Sequence, residues 1–345
     1  MAMERQIRRR RATAMGALGA VVLLVVILAA SAGKGGSTAH TGATATKGRG
    51  TAATGAQGRV GVSVAQTGQL PAPVQDAAAV AISNQSFLML GGIDQSEAST
   101  ADIVSASGTG ASRIGTLPTP LHDASASFVN GAAYLLGGGV VASYSQITRV
   151  EPSGATRPAG NLPTPGSDIA TATIGETVYI VGGYTGQTPL RTILAWRPGE
   201  AARVAATLPK PLRYAAVASL EGKLLIAGGT SGEAASADVY RFDPQAGSLT
   251  RIGQLPGPLT HAAAVAVDGR MLVFGGRGGS STSQTGRIVA ISPTGQAEVV
   301  GALPEALSDM SAVTLGERAI LAGGRDRSGR VHDAILTVSL MQKPR

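Results

Sequence analysis

One column of residues in this 345-residue chain combines reactive side chains with a regular spacing. Asp76, Asp123, Asp168, Tyr214, His261 and Asp309 each stand six residues after a leucine that is followed by proline. Four carboxyls, a phenol and an imidazole at one place could bind a cation or accept hydrogen bonds from the hydroxyls of a sugar. Arg213, next to Tyr214, adds a guanidinium able to hold a carboxylate. A plainer alternative is that each Asp hydrogen-bonds backbone within its own Leu-Pro loop, as Asp does in turns. The repetition itself favours that structural role.

The elements that position this column repeat as well. A short apolar run ending in Gly-Gly occurs six times, as SFLMLGG, AAYLLGG, TVYIVGG, KLLIAGG, RMLVFGG and RAILAGG, with first glycines at 91, 137, 182, 228, 275 and 323. Leu-Pro pairs keep the same beat, beginning at 70, 117, 162, 208, 255 and 303. Two markers in step at intervals of 45 to 48 residues indicate a propeller array. The fourth repeat reads as four strands. Residues 215–220 are small and β-branched, which suits the crowded axis. Glu221 and Gly222 make a hairpin turn, 223–227 form an apolar strand ending in Gly-Gly, and 238–242 and 248–253 supply the outer strands. Asn130-Gly131 and Asp268-Gly269 are equivalent turn signals.

This pattern resembles the kelch repeat, in which a hairpin leads to an apolar strand ending in Gly-Gly and a tyrosine follows on the next strand. The resemblance covers roughly residues 59–345. Tyr240 matches the tyrosine in repeat four, Leu249 stands near the position of the family's tryptophan, and the single Trp196 falls on a third strand. It implies an all-β, six-bladed β-propeller of four-stranded antiparallel blades. The last repeat supplies only three strands, so the alternating segment 59–67 is expected to close the last blade from the N-terminal side. In such a blade the Leu-Pro loops and the loops after Gly-Gly share one face. The column should then ring the channel mouth, with Arg191, Arg213, His261, Arg277, Arg325, Arg327, Arg330 and His332 on loops of that face, either as solvated charge or as anion ligands. Glu176, Glu221, Asp268 and Glu317 fall in hairpin turns of the opposite face.

Composition narrows the function. The net charge is +8, but eight cations and one acid precede residue 59, leaving +1 for the remaining 287 residues. A basic nucleic-acid-binding face is therefore not indicated. The chain has no cysteine, which excludes the cysteine-linked tyrosine of galactose-oxidase-type kelch enzymes. Asp-box repeats, a P-loop, a GxSxG turn and metal-ligand spacings are missing from the sequence. No cofactor and no metal are expected.

The N-terminus carries a targeting signal. Residues 1–11 form a basic segment containing Arg8, Arg9, Arg10 and Arg11, and residues 12–33 are uncharged. Twenty-two residues at about 1.5 Å each can cross a hydrocarbon core of roughly 30 Å, and the arginines hold the N-terminus in the cytoplasm. The alternative is a signal peptide cut after Ala30, Ser31 and Ala32. Residues 34–58 contain nothing apolar larger than alanine and read as a flexible linker. Alanine-, glycine- and arginine-rich usage suggests a bacterial source. The resulting expectation is a monomeric propeller outside the cytoplasmic membrane that binds a protein or glycan. The alternative is an epimerase or lyase of the kelch-type sialic-acid kind, with Arg213 and His261 at the channel mouth.

Overall fold

In a computed structural model that describes residues 60–232 and 234–342, the chain forms six four-stranded antiparallel sheets arranged as blades around an axis. Strand β1 (Val60–Gln69) opens the chain. Blade 1 holds β2 (Ala78–Ala81), β3 (Phe87–Leu90), β4 (Asp102–Ala106) and β5 (Ala111–Thr116). Blade 2 holds β6 (His122–Val129), β7 (Ala132–Gly139), β8 (Gln146–Val150) and β9 (Thr156–Asn161). Blade 3 holds β10 (Ala170–Ile174), β11 (Thr177–Val181), β12 (Thr192–Trp196) and β13 (Arg203–Thr207). Blade 4 holds β14 (Ala216–Leu220), β15 (Lys223–Ala227), β16 (Ser236–Asp243) and β17 (Ser248–Leu259). Blade 5 holds β18 (Ala263–Val267), β19 (Arg270–Phe274), β20 (Arg287–Ile291) and β21 (Ala297–Ala302). Blade 6 holds β22 (Ser311–Leu315), β23 (Arg318–Ala322) and β24 (Ala334–Gln342), and β1 takes its outer place.

The apolar runs are buried on both faces because each blade is covered by a neighbour on each side. Leu88 and Leu90 pack with Ala133 and Leu135 of blade 2, whereas Phe87 and Met89 pack with Ile320 and Ala322 of blade 6. Six such cores lie between adjacent blades. The closing strand follows the same logic. β1 pairs antiparallel with β24 from Val60↔Gln342 to Gln69↔Ala334, with a bulge between Gln66 and Gly68, and Val60, Val62 and Val64 pack against the core between blades 5 and 6. Among the described residues, every strand belongs to one of the six blades.

Gly-Gly is required where blades meet. Gly275 and Gly276 have φ of 57° and 85°, and the Gly276 N–H donates to Leu307 O of blade 6 at 2.8 Å. A Cβ on Gly275 would lie 2.2 Å from that same oxygen. Only a residue without a side chain lets the chain turn and approach the next blade this closely. The other five doublets make the equivalent inter-blade bond at 2.8–2.9 Å.

Among the described residues no helix is long and apolar enough to cross a membrane. The span and linker expected from the sequence lie outside the described residues.

Candidate functional site

The column residues sit where the Leu-Pro loops enter the inner strands, and all six have left-handed backbone: φ is 54° at Asp76, 56° at Asp123 and Asp168, 50° at Tyr214, 56° at His261 and 61° at Asp309. Their backbones join into a closed circle. Each N–H donates to the carbonyl of the column residue one blade back, from Asp123 to Asp76 through to Asp76 to Asp309, at 2.8–3.3 Å. Asp is one of the few side chains that tolerates this conformation, which explains its recurrence.

The structural role thus belongs to the backbone. This corrects the expectation that each Asp side chain caps its own Leu-Pro loop. Instead the side chains converge with Tyr214 and His261 on one cavity of about 130 Å³. Asp76 and Asp309 lie close enough for each to act on the other's charge, as do Asp123 and Asp168. Burial, followed by the charges of Asp309 and Asp123, pushes the Asp76 pKa well up, and burial with the charges of Asp168 and Asp309 does the same at Asp123. Burial also raises Asp309, although it accepts from the Ser308 hydroxyl at 2.6 Å.

Asp168 differs from the other three. The Arg213 guanidinium meets its Oδ2 at 2.5 Å and lies over the Tyr184 ring, 3.9 Å from the centroid. The Tyr214 hydroxyl donates to Asp123 Oδ2 at 3.1 Å, and burial with the surrounding carboxylates raises its pKa well above that of a free phenol, so it stays a donor. His261 stacks on Tyr214 with ring centroids 3.6 Å apart. Burial and the charges of Arg277 and Arg213 depress the His261 pKa well below its usual value. Arg277 can only donate, so the 2.9 Å contact makes His261 Nε2 an acceptor and leaves the proton on Nδ1, which faces Thr260 Oγ1 at 3.1 Å.

Six of the seven sequence candidates, Asp76, Asp123, Asp168, Tyr214, His261 and Asp309, line this cavity, and Arg213 joins them through Asp168. The wider arginine group does not act together. Arg191 donates to Leu208 O at 3.0–3.1 Å and Arg327 to Gln284 O at 2.8–3.0 Å, so both brace loops. Asp326, His332 and Glu305 form a separate cluster. Burial opposes ionisation of Asp326, but bonds from Ser328, His332 and Arg330 hold its pKa well below the usual carboxylate range, which marks it as a loop anchor.

Two participants, His122 and Tyr184, escaped the sequence reading of the mouth, and a third, Arg325, was read only as one of the wider arginine group. His122 lies with Nε2 3.6 Å from Asp123 Oδ2, Tyr184 carries the Arg213 guanidinium, and Arg325 lies close enough to act on the Asp309 charge. They occupy two further registers, the residue before each column position and the residue after each Gly-Gly, which pair within one blade beside the column, as in Arg213↔Thr230 and Ser308↔Arg325. Tabulating those registers would have found them.

The Kelch motif is matched over residues 165–200 and 211–251, which fall in blades 3 and 4. No curated relative matches the sequence. Among solved structures, the one described as "Structure of YjhT" superposes with a TM-score of 0.70 at 13% identity, covering 79% of this chain and 99% of that one. That likeness shows the fold alone. With six blades of one topology and the motif on two of them, the chain is a kelch-repeat β-propeller.

Proposed function

We propose that this propeller is a binding module whose channel mouth takes a hydroxyl-bearing ligand, a glycan terminus, with the surrounding loops as contact surface. One observation carries the reading. Asn or Gly would meet the left-handed backbone requirement without burying acid, yet four carboxyls converge on one cavity, and burial raises the pKa of three of them. Such groups gain partners when a ligand supplies hydroxyl donors. The cavity of about 130 Å³ is smaller than the roughly 300–1,000 Å³ of sites that enclose a small molecule. This favours capture of a terminal group over an enclosed reaction.

The test is a glycan array and pull-down with residues 59–345. A hydroxyl-rich glycan should bind, and Asp123→Asn combined with Tyr214→Phe should weaken it at least tenfold without unfolding the protein. Undiminished binding by that variant would place the site elsewhere, and capture of a protein alone would assign the face to a protein ligand.

We further propose that the body is held outside the cytoplasmic membrane by the uncharged stretch 12–33 and the linker 34–58. The length of that stretch and the four arginines before it support this. The full-mass chain should sediment with membranes, whereas a mature N-terminus at Gly33 would make the protein secreted.

A further inference from the structure

Blades 2 and 4 share a groove between the Leu-Pro loop leading into the blade and the blade's third strand. In blade 4 it is lined by Leu208, Leu212, Asp238 and Tyr240 and holds about 180 Å³. In blade 2 the same registers are Leu117, Leu121, Gln146 and Thr148, and the groove holds about 510 Å³. The cause is visible in the pairing. Tyr240 stands opposite Ile226 and Arg251, and Thr148 stands opposite Leu135 and Pro158. In blade 4 the Tyr240 ring packs against the core shared with blade 3, its hydroxyl donates to Asp238 Oδ2 at 3.3 Å, and Arg251 Nε holds Asp238 Oδ1 at 2.6 Å. In blade 2 the ring, the acid and the guanidinium are replaced by Thr148, Gln146 and Pro158.

The other four blades place Val104, Leu194, Val289 and Leu336 at the Thr148 register. Thr148 is therefore the one small polar side chain at a position that is otherwise apolar or aromatic. A local rule broken without compensating contacts marks a functional position, and the resulting volume lies within the range of small-molecule pockets.

We propose that the blade 2 groove binds a neutral aromatic small molecule carrying a hydroxyl group. Its ring lies over Leu117, Leu121 and Leu135, in the place Tyr240 fills in blade 4. Its hydroxyl meets the Gln146 amide, which stands where Asp238 receives the Tyr240 hydroxyl. Gln146 and Thr148 offer neutral partners, and the cation on the groove wall, Arg157, has Glu151 as its counter-charge at 3.8 Å, which favours an uncharged ring. The site is independent of the channel mouth.

The probe is p-cresol, the tyrosine side chain as a free molecule, titrated into residues 59–345 with methyl NMR as the readout. A dissociation constant on the order of 1 mM is expected for so small a ligand, with shifts at the methyls of Leu117, Leu121 and Leu135. Toluene should bind more weakly. Thr148→Tyr should weaken p-cresol at least tenfold by filling the groove, as should the exposed-site change Pro158→Arg, which does not disturb the core. Thr148→Val should retain binding. Unshifted Leu135 methyls at about 10 mM p-cresol, roughly tenfold above that constant, or full affinity in both filling variants, would overturn the proposal.

Discussion

The same substitution at two places in the ring, two blades apart, should change stability in opposite directions. Asp76→Asn and Asp168→Asn both keep a side chain that accepts left-handed backbone, and both keep the circle of backbone bonds. At Asp76 the amide is neutral without taking up a proton and offers a donor to the nearby Asp309 carboxyl, where the acid meets burial and the charges of Asp309 and Asp123. The gain at pH 7 should be about 1 kcal/mol, the net worth of one hydrogen bond. Asp168 is buried against Arg213, whose side chain is 23% exposed. Losing the acid removes a charge-assisted bond worth about 1.5–3 kcal/mol. The full cost of breaking a buried pair, roughly 3–5 kcal/mol, is not reached because the guanidinium still touches water. Urea denaturation at pH 7 reads both values. The pH dependence follows from the same groups. Asp76, Asp123 and Asp309 have folded-state pKa values raised above the unfolded ones. Their contribution is full below the unfolded value of about 3.9 and is lost as pH rises through the folded values. The wild type should therefore gain stability as pH falls from 7 towards 4, and Asp76→Asn should flatten that slope. Below about pH 4, carboxylates with lowered pKa values, such as Asp238 and Asp326, reverse the trend as they protonate. If both variants move the midpoint in the same direction, the assignment of an unpaired and a paired acid is wrong.

Two further outcomes test the frame that holds the ring. Gly275→Ala should cost at least about 3 kcal/mol, from left-handed strain of roughly 1–2 kcal/mol and displacement of the inter-blade carbonyl. Gly269→Ala, with φ of 67° and no atom within 4 Å of the new methyl, should cost the strain alone, and equal costs would remove the inter-blade argument. Deleting residues 1–58 should leave the thermal midpoint unchanged. Deleting through Gln69 should lower it by more than about 10 °C, since half-buried valines and strand bonds each contribute about 1 kcal/mol, and equal midpoints for the two truncations would refute closure by β1.

The fold was legible because each blade must repeat the same solutions. A strand covered on both faces reads as an apolar run, and a turn pressed against the next blade reads as Gly-Gly. The position of the column was legible for the same reason. Its chemistry was not. A spacing of six residues places Asp123 and Asp168 in adjacent blades but does not show that residues with left-handed backbone bring their carboxyls to one cavity. Nor does a lone arginine reveal which acid it will reach: Arg213 finds the acid of the preceding blade, whereas Arg191 finds a carbonyl of its neighbouring Leu-Pro loop.

A propeller of near-identical blades presents six nearly identical backbone surfaces, so a ligand can be told from others only where the repeat is broken. The column is Asp in four blades and becomes Tyr214 and His261 in two that adjoin, and these stack on each other. The residue preceding the column becomes Arg213 at the first of those two blades, where it neutralises one acid of the ring, Asp168, and leaves Asp76 and Asp309 with pKa values raised by burial. On the rim, Thr148 breaks the register that Tyr240 and four aliphatic residues fill elsewhere. None of these exchanges is needed to build a blade, since five or four other blades manage without them. Periodicity therefore identifies the scaffold, and the departures from it point to the channel mouth and the blade 2 groove.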